Sequence, residues 1–256
     1  MAKRVVAEIE ARMGSKRLPG KTLMKLGDKT ILEWTVSRLK MCKLVDTVVV
    51  ATSINPFDDP IAELCGKRNI PYYRGSEDDV LERVAQACQT MSADVVVQAG
   101  ADCPLYDPDI ADELIEIFLD NDYHYVCNDF SEGYPVGVAP HVFGAETLYK
   151  INQLATSKRD RENVVTYIWD HPERYKVYNL TPPRDLYQPD IRLTIDYSED
   201  YEFVKEIVAG VGGETFRTGD VIRFVERNDY LLNINKQCKM KKESVAYDYK
   251  VEEDAN

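Results

Sequence analysis

Two hydrophobic periods alternate along this chain, and that alternation constrains the fold more than any other feature. Residues 5–9, 47–51, 71–73, 95–98 and 123–127 are short runs rich in β-branched and aromatic side chains. Most show little polar alternation, as expected of strands buried on both faces. Helical spacing fills the intervals. Val80, Leu81, Val84, Ala85 and Cys88 recur at i, i+1, i+4, i+5 and i+8 and define one helix face. Ile31, Leu32, Thr35 and Leu39 define another, as do Ile61, Leu64 and Cys65. Asp59 suits the cap of that last helix and Pro60 its first turn. Asp107-Pro108 opens a fourth helix, with Ile110, Leu114, Ile117 and Phe118 inward.

Strand, helix, strand in this order requires parallel pairing through right-handed crossovers. The expected fold is α/β, a doubly wound, mostly parallel sheet. The pattern breaks at 131–140, where Gly133, Pro135, Gly137 and Pro140 read as a loop. Helices are then expected near 146–154 and 160–170, strands near 176–180 and 191–195, and helices over 199–208 and 218–228. No internal repeat interrupts the pattern. One domain over 1–246 is expected, with a small inserted region at about 131–190 and a polar tail at 247–256.

Charge narrows the function. The chain has 32 basic and 44 acidic residues, a net charge of −12. That argues against a nucleic-acid partner, whose binding rests on neutralising many phosphates. Its apolar runs fall far short of the roughly 20 residues that span a bilayer, so no membrane partner is expected. Met1-Ala2-Lys3-Arg4 leads straight into the first strand-like run, without the apolar core of a signal peptide. None of the six cysteines forms a Cys-x-x-Cys pair. They read as reduced, packed thiols of a cytoplasmic protein. The three histidines lack zinc-ligand spacing.

The chemistry concentrates after the first strand, in Ala11-Arg12-Met13-Gly14-Ser15-Lys16-Arg17-Leu18-Pro19-Gly20-Lys21. Ligands of open α/β sheets bind at the carboxyl ends of strands. Four cations, Arg12, Lys16, Arg17 and Lys21, fall within ten residues of an otherwise acidic chain. Fixed cations and backbone N–H groups together form an anion cradle. A solvated basic loop is the alternative. Asp102 follows the strand at 95–98, and Asp196 follows the run at 191–195. Each reads either as a turn or capping residue or as a Mg²⁺ ligand. Magnesium takes one or two carboxylates together with substrate phosphates. The pair with the basic loop suggests metal-assisted phosphoryl chemistry.

The basic loop resembles the signature of the spore-coat polysaccharide cytidylyltransferase-like family, related to the CMP-Kdo and CMP-sialate synthetases. Further matches are Val50-Ala51-Thr52-Ser53, Arg74-Gly75-Ser76-Glu77-Asp78-Asp79-Val80-Leu81, Asp102-Cys103-Pro104-Leu105, Asp160-Arg161-Glu162 and Leu193-Thr194-Ile195-Asp196. They span about residues 5–236. The resemblance implies a Rossmann-like, glycosyltransferase-A-like nucleotidyltransferase fold and, as an oligomer, a homodimer. It also implies that CTP and an acceptor give a CMP-linked product and pyrophosphate. By position, Arg12 and Lys21 would hold the triphosphate with help from Arg17. Asp102 and Asp196 would bind Mg²⁺. Ala11, Arg12, Met13, Gly14, Ser15, Gly75, Ser76 and Gln98 would lie on the nucleotide side. Tyr134, His141, Arg161 and Glu162 are the acceptor candidates.

Three departures stand out. Glu10 replaces the family's usual Gln, and Gln98 replaces an Arg. Tyr134-Pro135-Val136-Gly137-Val138-Ala139-Pro140-His141 has Val136, Ala139 and His141 at three positions that are acidic in the family. A carboxylate at 10 would repel a triphosphate unless it is paired, binds metal or points away. Loss of three negative charges favours a small anionic acceptor. The first reading is therefore a cytidylyltransferase acting on an acidic sugar for surface glycans. The second keeps the enzyme but changes the acceptor to a phosphonate, phosphosugar or phosphoramidate-type compound. The third is a nucleotide-binding homologue without catalysis.

Overall fold

A computed structural model describes residues 2–130 and 133–239. Its main sheet has seven strands: β1 (Val5–Glu10), β4 (Thr47–Ser53), β5 (Tyr72–Gly75), β6 (Val95–Gly100), β7 (Tyr125–Cys127), β8 (His141–Gly144) and β9 (Val177–Asn179). β2 (Lys25–Leu26) and β3 (Lys29–Thr30) form a separate antiparallel pair. The spatial order is β5-β4-β1-β6-β8-β7-β9. β5, β4, β1 and β6 run parallel, as the alternation requires. After β1 the chain adds β4 and β5 on one side, then returns to add β6 on the other. The order therefore switches between β1 and β6, which opens a crevice at their carboxyl ends.

Helices cover both faces. α1 (Ile31–Leu39), α2 (Asp59–Arg68), α4 (Pro108–Asp120), α8 (Ser198–Val211) and α9 (Thr218–Arg227) pack over one face. They bury Val5, Ala7, Ile9 and Ala11 of β1 and its continuation. α3 (Val80–Thr90), α5 (Ala145–Leu154) and α7 (Thr166–Asp170) cover the other face, with Val6, Val49, Val96 and Phe143. α6 (Lys158–Glu162) and α10 (Leu232–Asn235) complete the α-helices of the described residues. The doubly wound expectation holds because the strands carry apolar residues at both odd and even positions.

The region after 133 departs from expectation in three places. First, β8 enters antiparallel between β6 and β7. Four residues following Pro140 are too few to show a period, so only the loop at 131–140 was legible. Second, 191–195 is not a strand. It makes one bridge, Val136 to Arg192, and Ile195 N–H donates to the Asp102 carbonyl at 2.8 Å. Its neighbours are loops, which offer no edge long enough to pair. Third, the helix expected over 160–170 is two short helices, α6 and α7. Asp59 is the first residue of α2, not its cap. The expected polar tail at 247–256 lies outside the described residues.

Gly137 fixes how the 191–196 segment passes. Its φ is +91°, and a Cβ there would stand 3.0 Å from the Thr194 nitrogen and 3.3 Å from Cys103 Sγ. Gly137→Ala is expected to cost about 1–3 kcal/mol in strain. Calorimetry should show a melting temperature lower by roughly 2–10 °C; an unchanged value would mean that this contact sets nothing.

All six cysteines are free. Burial pushes the Cys42 thiol up to about 12 and that of Cys65 up to about 11, with Cys88 and Cys127 well above the usual range. The thiolate is the reactive species. Iodoacetamide at pH 8 is therefore expected to leave these four intact in the native protein and to modify all six cysteines after denaturation, by peptide mass spectrometry.

Candidate functional site

The loop leaving β1 folds back on itself. The Met13 carbonyl accepts from Ser15 N–H at 2.9 Å and from Gly20 N–H at 3.1 Å. Gly20 takes a φ of +73°, which turns the chain into the short helical turn Lys21–Leu23. Thr22 Oγ1 donates to the Arg12 carbonyl at 2.8 Å. This closure directs the Lys21 side chain inward, below the switch point.

Lys21 Nζ donates to Asp102 Oδ2 at 2.7 Å, to the Ile195 carbonyl at 2.6 Å and to Asp196 Oδ1 at 3.1 Å. The two carboxylates expected to hold a metal thus meet at one ammonium. Burial opposes charge on Lys21, yet Asp102 and Asp196 outweigh it and raise its pKa above the usual lysine range. Burial likewise pushes the Asp102 carboxyl up, but Lys21 and Arg17 hold it below its ordinary value. Arg17 lies 2.5 Å from Asp196 Oδ1 and stacks over the Tyr197 ring at 4.7 Å.

Asp196 is not the cap of α8. Asp200 accepts from the N–H groups of Asp196 and Tyr197 at 3.0 and 3.1 Å, so the helix start is satisfied without Asp196. Arg192 Nη2 holds Asp196 Oδ2 at 2.8 Å, and Arg192 Nε holds Asp200 at 3.1 Å. Arg12 and Lys16 are exposed, and no ion pair engages either side chain among the described residues. They are the cations left for a ligand.

Of the nucleotide-side candidates, Gly75 ends β5 and Ser76 follows it, whereas Gln98 lies inside β6, three strands away, across from Glu8 and His141. Asp58, not foreseen from sequence, accepts from Met13 N–H at 2.7 Å and from the Ser53 hydroxyl. Arg74 Nε donates to the Ser53 carbonyl at 2.8 Å and Nη2 to the Asn55 carbonyl at 3.2 Å. Asn55, Arg74, Gly75, Ser76 and Glu77 line an open depression of about 660 Å³. Buried Arg83 donates to the Ser76 carbonyl and, at 3.3 Å, to the Glu77 carbonyl. The Arg74 to Leu81 string contains no hint of this, because Arg83 reaches back from α3 along one helical turn.

The acceptor candidates divide. His141 sits beside Gln98, with Nδ1 3.0 Å from Gln98 Oε1, and Nε2 lies 2.5 Å from Asp129 Oδ2. Burial works against an imidazolium here, but Asp129 and Glu10 raise the His141 pKa. Glu10 extends to this face of the sheet, opposite the side on which Ala11 packs; burial raises its carboxyl pKa and Asp102 raises it further, against the opposing pull of Arg83 and of Arg12 in the basic loop. Tyr134, Arg161 and Glu162 are not brought to His141. Tyr134 is buried in the core cluster over the other sheet face. Arg161 binds Asp79 at 2.6 Å and the Asn152 carbonyl at 2.7 Å, tying α6 to the start of α3. Glu162 is exposed, 3.6 Å from Lys158. The three replaced acidic positions also part company, because Ala139 packs against the opposite core.

No group of three or more His, Cys, Asp or Glu residues fit to hold a metal occurs among the described residues. The two carboxylates that share the Lys21 ammonium match in number the one or two that magnesium takes alongside substrate phosphate and water. No helix of the described residues is long and apolar enough to cross a membrane.

Residues 6–238 match the sequence profile of the cytidylyltransferase family. An uncharacterised protein of Methanocaldococcus jannaschii is 37% identical over 238 residues, 93% of this chain and 97% of that protein. The spore coat polysaccharide biosynthesis protein SpsF of Bacillus subtilis is 34% identical over 228 residues, 86% of this chain and 93% of its own. A cytidylyltransferase from Leptospira borgpetersenii superposes with a TM-score of 0.86 at 31% identity, covering 94% of this chain and 99% of its own. With a family match over nearly its whole length and a superposition over 94% of its residues, the chain belongs to the cytidylyltransferases, a family of nucleotidyltransferase enzymes.

Proposed function

We propose that the protein transfers CMP from CTP to a small anionic acceptor, releasing pyrophosphate, in the biosynthesis of a surface glycan. The observation that carries this reading is the meeting of Asp102 and Asp196 at Lys21, on the loop that also carries Arg12, at the switch point of the sheet. The role in glycan synthesis rests on the likeness to SpsF. The free thiols support a cytoplasmic setting, and the homodimer rests on the family resemblance alone.

An acceptor oxygen attacks the α-phosphorus in line, and the bond to the α,β-bridging oxygen breaks. Negative charge grows on the departing pyrophosphate. Arg12 and Lys16, exposed and free of ion pairs among the described residues, would bind it, while Lys21 and Arg17 hold the carboxylates. Asp102 and Asp196 would hold Mg²⁺, which supplies Lewis-acid neutralisation of phosphate oxygens when bound. Their assembly with Lys21 favours an active enzyme over a homologue without catalysis. A phosphonate or phosphosugar acceptor remains the second reading, favoured by the basic His141 on the acceptor side.

Thermal shift with CTP, UTP, GTP and ATP, each with and without Mg²⁺, tests the donor. CTP at one hundred times its dissociation constant stabilises by about 2.7 kcal/mol, a shift of roughly 5–10 °C. No shift with any nucleotide would sink the reading.

Two substitutions then separate binding from architecture. Arg12→Ala is expected to cut the rate by about 10²–10³ and to move stability by no more than about 0.5 kcal/mol, as an exposed residue. Lys21→Ala is expected to lose a similar factor in rate and several degrees of melting temperature, because it leaves two carboxylates facing each other. Equal stability losses in both variants would contradict the assignment.

A further inference from the structure

The Asp196 carboxylate is held from two sides, and the sides differ. Oδ1 faces the basic loop, where Arg17 and Lys21 approach it at 2.5 and 3.1 Å. Oδ2 faces the buried Arg192, whose Nη2 lies 2.8 Å away. The same guanidinium grips Asp200 through Nε at 3.1 Å. One planar fork thus spans two carboxylates that stand four residues apart. An ammonium, a point charge on a flexible stem, cannot hold both in a fixed orientation.

Asp200 keeps the fork in place. It is fully buried, yet both of its oxygens are satisfied. Oδ1 accepts from Arg192 Nε and, at 3.1 Å, from Asn235 Nδ2. Oδ2 accepts from the N–H groups of Asp196 and Tyr197. A buried carboxylate with this many donors resists rotation, because turning it would leave donors and lone pairs unmatched.

Asn235 completes the set from a distant part of the chain. Its Nδ2 also donates to the carbonyl of Arg192, 43 residues earlier, at 3.2 Å. Both partners are acceptors, so the amide nitrogen must be the atom that faces them. Asn235 ends α10, which packs on α8, and Leu231 just before α10 is anchored in the core. The last described helix therefore brings a donor to the back of the site. With Oδ2 of Asp196 committed to Arg192, only Oδ1 is left on the side of Lys21.

We propose that Arg192, Asp200 and Asn235 are positioning residues for the transfer. They lock Asp196 with Oδ1 toward Lys21, so that this one oxygen ligates the divalent cation carried by the nucleotide. None of the three touches the reacting atoms. The proposal rests on the cytidylyl-transfer reading, with Asp102 and Asp196 as the carboxylates that would hold Mg²⁺.

The test is how far Mg²⁺ tightens CTP binding to the full chain, measured without acceptor so that no turnover intervenes. Titration calorimetry gives the dissociation constant of CTP in Mg²⁺ and in EDTA. Mg²⁺ is expected to tighten CTP about tenfold in the unaltered protein, and Asp196→Asn to abolish that gain. Arg192→Lys keeps the charge but loses the fork, and Asn235→Ala removes a single donor to Asp200. Each is expected to reduce the gain to about threefold or less, as loss of a partner behind a metal ligand does. Affinity for CTP in EDTA should stay within about twofold in both, which a merely structural loss would not allow. Melting temperatures establish that each variant is folded; should Arg192→Lys not fold, Asn235→Ala decides. A full gain in either folded variant overturns the proposal, as does an equal loss of CTP affinity with and without Mg²⁺. An unaltered protein that binds CTP with no gain from Mg²⁺ overturns it too, and so does a gain that survives Asp196→Asn. An unaltered protein that binds no CTP at all would instead fail the cytidylyl-transfer reading.

Discussion

The site is organised by one ammonium. Lys21 reaches a carboxylate 81 residues away and another 175 residues away. Each of the three groups is unfavourable in that place without the others: the lysine is drawn from water by burial, and the two aspartates would repel. Together they keep their charges, which is why the Asp102 carboxyl falls and the Lys21 ammonium rises against the pull of burial. Three separate chain segments are thereby held at one point.

That point exists because the sheet is parallel where it matters. β1 and β6 run side by side in the same direction, so the loops that leave them emerge at one edge. The third segment has no strand to bring it there. It is held by Val136 on one side and Asp102 on the other, and Gly137 permits the close approach. The two sheet faces then separate the charges. Alternation along β1 turns Ala7, Ile9 and Ala11 to an apolar face and sends Glu8 and Glu10 to the other. Carboxylates inside a central strand break the pattern of a well-buried sheet, and such breaks gather where function demands them.

Much of this was legible in the residues. The strands at β1, β4 and β6 and the helix at α3 carry long, clear periods, and they set the fold class. Arg17, Lys21, Asp102 and Asp196 were legible as a group, because each follows a strand-like run and carries charge in an apolar setting. Tyr134, Arg161 and Glu162 do not gather with His141, and that separation was not legible for the opposite reason. They lie in a region of short elements, where spacing does not say which way a side chain faces. Arg161 is drawn to Asp79 across 82 positions of chain, a partnership that no local pattern announces. β8 escaped notice because four residues hold no measurable period.

The sequence by itself determined the parallel architecture, the location of the basic loop and the two carboxylates that meet it, since hydrophobic period and strand-end position are local properties. Only the tertiary structure decided that Lys21 would bridge those carboxylates, that Arg12 and Lys16 would stay unpaired, and that Glu8, Glu10, Asp129 and His141 would share one face. Those outcomes depend on strand order and on a one-residue register between neighbouring strands. Both are set by how the whole core closes, because a shift of one residue turns every side chain to the other face.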